Sequence, residues 1–349
     1  MNNMEKYSME KAYEEAFEIK NKADKAMMQY TNGYDDLAAL DYDNAENSVD
    51  NEREGLGVVI ENLINKHEKE IRGASFHTGP KIFEKTLRSI YDNDTAEELS
   101  YELMSQSGVD SLAKQIFEEK PEIVFLCMRS AVPAGYIYKA FVDEIKNKAI
   151  LEGDGTVIEA CKKIPQPKFL LTNEIDKWEK GDNNITFKNA VRIYEGKLMK
   201  MKFLGERDKE HPFKIGVFDE SKNTGIGLKK QVKAISEACK NILLEAEVLQ
   251  FDYADGIGGL PADVPPVIPL PISGHSKGER GLPSLEIEKL DPELGRLYHQ
   301  QAIRLSKRAA KLMLKFSLIN RKWDNATEKY HNNKKSIANL LSEIGIINR

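Results

Sequence analysis

Apolar positions fall at helical spacing through the first third of the chain and in short unbroken runs after it. Ala12, Ala16, Ile19, Ala23, Ala26 and Tyr30 alternate steps of four and three, which puts one stripe of mostly small residues along a helix able to approach a partner closely. The stretch 41–54 then carries six acids against one arginine with no apolar period, the pattern of a solvated linker. Helical spacing returns with Val59, Leu63 and Ile64, with Phe83, Leu87 and Ile90, and with Val109, Leu112, Ala113 and Ile116. Residues 1–119 therefore read as a helical extension, which is expected to pack on the rest of the chain or on a second subunit, or to meet a protein partner, through the small-residue face.

The texture changes at PEIVFLCM, 121–128, where a proline precedes six continuous apolar residues, as in a strand buried on both faces. RSAVPAG, 129–135, reads as a turn, and YIYKAFVDEIKNK, 136–148, as a helix with Ile137, Phe141 and Ile145 on one side. KFLLTNEI, KIGVFDE and EVLQFDYA read as further strands, with a helix in LKKQVKAISEACKNILLEA. Strands alternating with helices in this way predict an α/β unit with a mostly parallel sheet over 120–255. Within it, 149–213 is long enough to hold an insertion or lid; the basic residues Lys200, Lys202, Arg207 and Lys209 near its end are placed to reach an anion, or simply to be solvated. The Gly- and Pro-rich stretch 256–284 excludes regular helix or central strand, and 256–349 is expected to complete a hood or to pack on the core. Leu305, Ala309, Leu312, Phe316, Ile319 and Trp323 predict one last helix, with Arg304, Arg308, Lys311, Lys315 and Lys322 beside its apolar stripe, either as a solvated face or toward an anionic partner.

Composition narrows the classes. With 41% hydrophobic and 31% charged residues among 349, the chain can bury a substantial core. A net charge of −5 argues against a nucleic-acid backbone as the principal partner, although a local basic face stays open. The acids of MNNMEKYSMEKAYEEAF interrupt any signal-peptide core, and no apolar run reaches membrane-spanning length, so the expectation is a cytoplasmic protein without a membrane partner. Cys127, Cys161 and Cys239 lack metal or disulfide spacing and read as buried apolar positions.

One stretch asks for a chemical explanation. In KIGVFDESKNTGIGLKK, 214–230, an apolar run ends in Asp219 and Glu220 and then enters a turn with two glycines. A dinucleotide-binding turn needs a third glycine where Lys230 stands, and the chain holds no G-x-x-x-x-G-K-[ST] string for a P-loop. Carboxylates accept hydrogen bonds from hydroxyls and help hold a divalent cation, whereas amides at a helix start attract phosphate, so the pairing suits a ligand with both a diol and a phosphate. The same string is also compatible with an Asx-rich turn that only caps a helix.

The motif resembles that of the type I phosphoribosyltransferases: an apolar strand, two acids, three residues, then Thr-Gly. VFLCMRSAVPAGY, 124–136, resembles the pyrophosphate loop that this family carries after an earlier strand. The resemblance covers 120–255 and implies a phosphoribosyltransferase-type α/β fold with a helical N-terminal extension. It implies that Asp219 and Glu220 hold the ribose hydroxyls of phosphoribosyl pyrophosphate and help bind Mg²⁺, and that Ser221, Lys222, Asn223, Thr224, Gly225, Ile226 and Gly227 cradle the 5-phosphate. It further implies that Arg129, Ser130, Ala131 and Val132 hold the pyrophosphate, with Arg129 counted beside the two acids as catalytic. Two departures stand out: Gly227 replaces a hydroxyl residue, and Asn223 sits where many purine-using members have a third acid. Three functions follow as expectations: transfer of a phosphoribosyl group to or from a nucleobase-like acceptor, nucleotide or phosphoribosyl pyrophosphate sensing without turnover through the helical extension, or a protein-interaction module with no ligand.

Overall fold

The structure, a computed structural model, describes residues 92–127, 131–172, 187–200, 213–219, 226–251, 292–324 and 329–347, together with a few isolated positions before 92. The stripe at 12–30, the acidic stretch 41–54, the apolar positions from Val59 to Ile64 and from Phe83 to Leu87, with Ile90, the basic residues Lys202, Arg207 and Lys209, and the stretch 256–284 lie outside the described residues or among isolated ones.

Helix α1 (Asn93–Gln106) starts where Asp92 accepts the amide of Asp94 at 3.0 Å; the Thr95 hydroxyl also donates to it, and these bonds hold its carboxyl below the usual carboxylate range. Helix α2 (Val109–Glu119) begins after Gly108 in the left-handed region and buries Val109, Leu112, Ala113, Ile116 and Phe117, the spacing the sequence sets. Four short strands follow: β1 (Ile123–Leu126), β2 (Lys168–Leu171), β3 (Phe213–Phe218) and β4 (Ala246–Phe251). Between them run α3 (Val132–Glu152), α4 (Gly155–Cys161), α5 (Phe187–Met199) and α6 (Ile226–Asn241). The predicted turn at 129–135 is shorter than expected, because α3 already starts at Val132, with Pro133 in its first turn, where a fixed φ costs nothing. Gly153, at φ 74°, stops α3, and Asp154 restarts the chain as α4 by accepting the amides of Thr156 and Val157 at 2.9 and 3.4 Å.

The strands form one all-parallel sheet of order β2-β1-β3-β4, so the chain is an α/β protein. Every residue of β1 is buried, as its unbroken apolar run requires of a strand covered on both faces. Ring contacts show which helix covers which face. Tyr138 of α3 meets Phe169 of β2 at 5.9 Å, while Tyr194 of α5 meets Phe125 of β1 at 5.4 Å. Phe169 pairs with Val124, the neighbour of Phe125, and neighbours along a strand point to opposite faces, so α3 and α5 lie on opposite sides. Helix α6 packs on α5, whereas α2, α4 and α7 (Pro292–Ser317) pack on α3.

On the α3 side, Tyr138 is sealed between Phe117 and Phe169, and its hydroxyl donates to the Pro165 carbonyl at 2.7 Å. Burial pushes its pKa well above the ordinary 10.0. We expect Tyr138→Phe to cost about 1 kcal/mol in urea unfolding, since the carbonyl of the half-buried Pro165 loses its donor. A phenol held protonated by folding contributes stability below the unfolded pKa that is lost as pH rises past it, so the variant should lose less stability than the parent above pH 10.0.

The C-terminal part departs from the sequence reading. Helix α7 ends at Ser317, and Ile319 and Trp323 belong to β5 (Ile319–Asp324), which pairs antiparallel with β6 (Lys329–Lys334). The spacing Leu312, Phe316, Ile319 and Trp323 imitates a helix, but the last two find ladder partners in Lys334 and Tyr330. The Lys335 amide closes the hairpin on the Leu318 carbonyl at 2.8 Å, and Ser336 caps α8 (Ile337–Glu343) by accepting the Asn339 amide at 3.2 Å.

Part of the 149–213 interval is regular structure: the end of α3, all of α4, β2 and α5 occupy it. Cys127, Cys161 and Cys239 are free and buried, and burial raises the thiol of Cys239 to about 11. Among the described residues no helix is long and apolar enough to cross a membrane.

Candidate functional site at the reversal of strand order

From β1 the chain moves outward to β2; from β3 it moves the other way, to β4. In open α/β sheets the ends of the two strands flanking such a reversal are where loops diverge and ligands settle. Both stretches singled out by sequence leave the sheet here. The last residues of β1 and β3, Leu126 and Phe218, are register partners.

The Cys127 amide donates to the Phe218 carbonyl at 2.8 Å, carrying the ladder one residue beyond β1, and the Thr172 amide donates to the Leu126 carbonyl at 3.0 Å. Three strand ends are thereby tied together. After Cys127 the chain returns at once, for the Ala131 amide donates to the Cys127 carbonyl at 3.2 Å. Ala131 is fully buried and stands at the N-cap of α3, where it offers no side-chain cap to the amides of the first turn. Val132 is half-buried beside it.

On the other strand, Phe218 is fully buried and Asp219, just past the end of β3, is half-buried. Helix α6 starts at Ile226, with Gly227 in its first turn and Leu228 anchored in the core. The backbone of Gly227 therefore lies among the first-turn amides that have no partner within the helix. Of the expected site residues, Ala131, Val132, Asp219, Ile226 and Gly227 are brought to one edge of the sheet by the pairing of β1 and β3. Arg129, Ser130, Glu220, Ser221, Lys222, Asn223, Thr224 and Gly225 lie outside the described residues, in the two short connections that join these anchors.

The layer beneath contains polar groups that the sequence reading passed over. Lys197 is only 7% exposed, and its Nζ donates to the Leu171 carbonyl at 2.6 Å. Leu171 is the register partner of Leu126, so this amine sits against the strand next to β1. The Tyr194 hydroxyl donates to Gln231 Oε1, linking α5 to α6 about one turn below Gly227. A signal for Lys197 existed: Ala190, Val191, Tyr194 and Leu198 are the buried stripe of α5, and position 197 falls on it.

Chemically, the edge combines the starts of two helices with one carboxylate at a strand end, an arrangement able to bind an anion and a hydroxyl-bearing group side by side. Among the described residues there is no group of three or more His, Cys, Asp or Glu that could hold a metal ion.

No family model matches the chain, and no curated protein or solved structure matches it either. What the fold defines is an α/β protein with a four-stranded parallel sheet and a candidate site at its reversal point.

Proposed function

We infer that the chain is a phosphoribosyltransferase-like protein that binds phosphoribosyl pyrophosphate with Mg²⁺ and transfers the phosphoribosyl group to or from a nucleobase-like acceptor. The observation that supports this reading is the adjacency of β1 and β3, in parallel and in register, with the two motif stretches leaving their C-terminal ends. A sugar phosphate with a pyrophosphate at its other end needs two anion cradles and a diol acceptor close together.

In this reading Asp219 and Glu220 accept from the ribose hydroxyls, Ser221 to Gly227 cradle the 5-phosphate, and Arg129 with Ser130, Ala131 and Val132 faces the pyrophosphate. Mg²⁺ is bound through one or two carboxylates together with phosphate oxygens, so the Asp219 carboxylate at the end of β3 suits a cation that arrives with the ligand, Glu220 being its second donor; the ion would supply charge neutralisation of the departing pyrophosphate. A nitrogen nucleophile forms its bond to the anomeric carbon as the carbon–oxygen bond to pyrophosphate breaks. The protein's tasks are to orient the ribose, stabilise the leaving group and exclude water.

Asn223 and Gly227 favour a second reading, a sensor that binds without turnover. An amide accepts no proton, and general-base help is worth about 10²–10⁴-fold where an acceptor must lose one. Pyrophosphate departure itself needs no such base, so transfer remains the first reading.

Titration of the protein with phosphoribosyl pyrophosphate and Mg²⁺ should give saturable heat and a raised melting temperature; a ligand at 100 times its Kd adds about 2.7 kcal/mol. Absence of both at millimolar ligand overturns the proposal. Binding without any acceptor-dependent release of pyrophosphate, on incubation with a pool of nucleobases and cell extract, replaces transfer by sensing.

A further inference from the structure

The two stretches of the candidate site leave different strands, and one side chain outside both of them touches the elements that carry each. The Tyr194 ring of α5 packs edge-on against Phe125 of β1, centroids 5.4 Å apart, and its hydroxyl donates to Gln231 Oε1 of α6. Phe125 precedes Leu126 and Cys127, from which the chain turns into the start of α3. Gln231 stands about one turn beyond Gly227, at the start of α6.

Tyr194 is 0% and Gln231 6% exposed, so the bond between them is shielded from water. Two flanking contacts between the same helices are open to solvent: Lys233, exposed, lies 5.6 Å over the Phe187 ring, and the exposed Asn241 amide donates to Glu195 at 2.6 Å. Water competes for both of these and not for the buried bond, which therefore sets the geometry. One turn past Tyr194, Lys197 Nζ holds the Leu171 carbonyl of β2 at 2.6 Å. Helix α5 is thus fastened by buried contacts to β2, to β1 and to α6, and Tyr194 makes the last two.

A buried tyrosine commonly serves stability alone. Tyr194 differs in where its contacts fall, on the two elements from which the two anion cradles start. A ligand with a phosphate at one end and a pyrophosphate at the other is bivalent. Engaging both ends at once adds about 10²–10⁴-fold over either end alone, and the gain is lost when the spacing of the two sites does not match. That spacing depends on where α6 begins relative to the end of β1, the separation that Tyr194 spans.

We propose that Tyr194 is a positioning residue that couples the two cradles, holding the start of α6 at a fixed distance from the end of β1 so that one sugar phosphate engages both. It lies in the layer beneath the site and acts through Phe125 and Gln231. The inference rests on the phosphoribosyl pyrophosphate reading above and adds to it the residue that makes the whole ligand bind better than its halves.

The test compares three ligands on the full chain with Mg²⁺: phosphoribosyl pyrophosphate, inorganic pyrophosphate and ribose 5-phosphate, each by calorimetric titration. Tyr194→Phe keeps the ring and removes only the hydroxyl. It should weaken phosphoribosyl pyrophosphate by about 10-fold or more, part of the gain from engaging both ends, and leave the two halves binding as they do to the parent. Its melting temperature should fall, because Gln231 Oε1 loses this donor in a buried setting. Tyr194→Phe with Gln231→Leu removes that amide and should regain most of the melting temperature while still binding phosphoribosyl pyrophosphate weakly. Equal weakening of all three ligands, or of none, overturns the proposal and leaves the sugar-phosphate reading standing on the parent's binding. So does a double variant that recovers affinity together with its melt, and so does a parent that binds phosphoribosyl pyrophosphate but neither half, since there are then no two cradles to couple. A parent that binds none of the three overturns the sugar-phosphate reading, and this inference with it.

Discussion

Replacing Asp219 by Asn and Glu220 by Gln together is expected to abolish phosphoribosyl pyrophosphate binding while leaving the melting temperature close to that of the parent. The amides keep the size and shape of the acids but lose the charge that strengthens bonds from ribose hydroxyls. Each charge-assisted bond is worth about 1.5–3 kcal/mol, so the pair together accounts for roughly 3–6 kcal/mol, or about 10²–10⁴-fold in affinity. The fold should tolerate the change because Asp219 lies beyond the end of β3 and is half-buried, whereas the core ends at Phe218. Calorimetric titration beside a circular-dichroism melt separates the outcomes. A variant that melts early yet binds normally would make the acids turn-capping residues, and the ligand reading of this edge would fall.

How far the sequence foretells this arrangement differs from element to element. Strands β1 and β3 were legible because a strand covered on both faces leaves an unbroken apolar run, and the buried pattern of both confirms the cover. Their neighbourhood was not legible: the order β2-β1-β3-β4 is a property of the crossovers, and nothing local to EIVFL or KIGVF states which strand lies beside which. The acids of the candidate site were visible by their oddity in a glycine turn, but Lys197 was passed over although it falls on the buried stripe of α5, since a charged residue is read as exposed while its long stem lets it occupy such a stripe and reach a carbonyl. Strand β5 reads as helix in the sequence because Ile319 and Trp323 continue the three- and four-residue steps of α7; the strand partner that decides otherwise lies after 328, among polar residues with little periodicity. The boundary between α3 and α4 went unread inside the 149–213 interval, although Gly153-Asp154, a left-handed stop followed by a capping acid, marks it.

Gly216 shows why a residue of low strand preference stands in the middle of β3. Gly216 pairs with Leu249 and Phe218 with Phe251, so Phe251 lies diagonally across from Gly216 on the same face, the face that α3 covers. A Cβ built at 216 would lie 2.6 Å from Phe251 Cε2 and 2.7 Å from its Cζ, closer than carbon atoms approach. The obstacle is a ring only 1% exposed, packed at the far end of the edge strand β4. We therefore expect Gly216→Val to destabilise the protein by at least the 1–3 kcal/mol typical of overpacking, with Gly216→Ala showing a smaller loss in the same direction. Because Phe251 is the register partner of Phe218, whose carbonyl receives the Cys127 amide, the displaced ring should also disturb the strand ends that carry Cys127 and Asp219. The double variant Gly216→Ala with Phe251→Leu removes the ring atoms in conflict and should recover part of the loss, giving a coupling of about 0.5–3 kcal/mol in a double-mutant cycle. Urea unfolding of the four proteins measures it; additive losses would mean that Gly216 is held for a reason other than the ring above it.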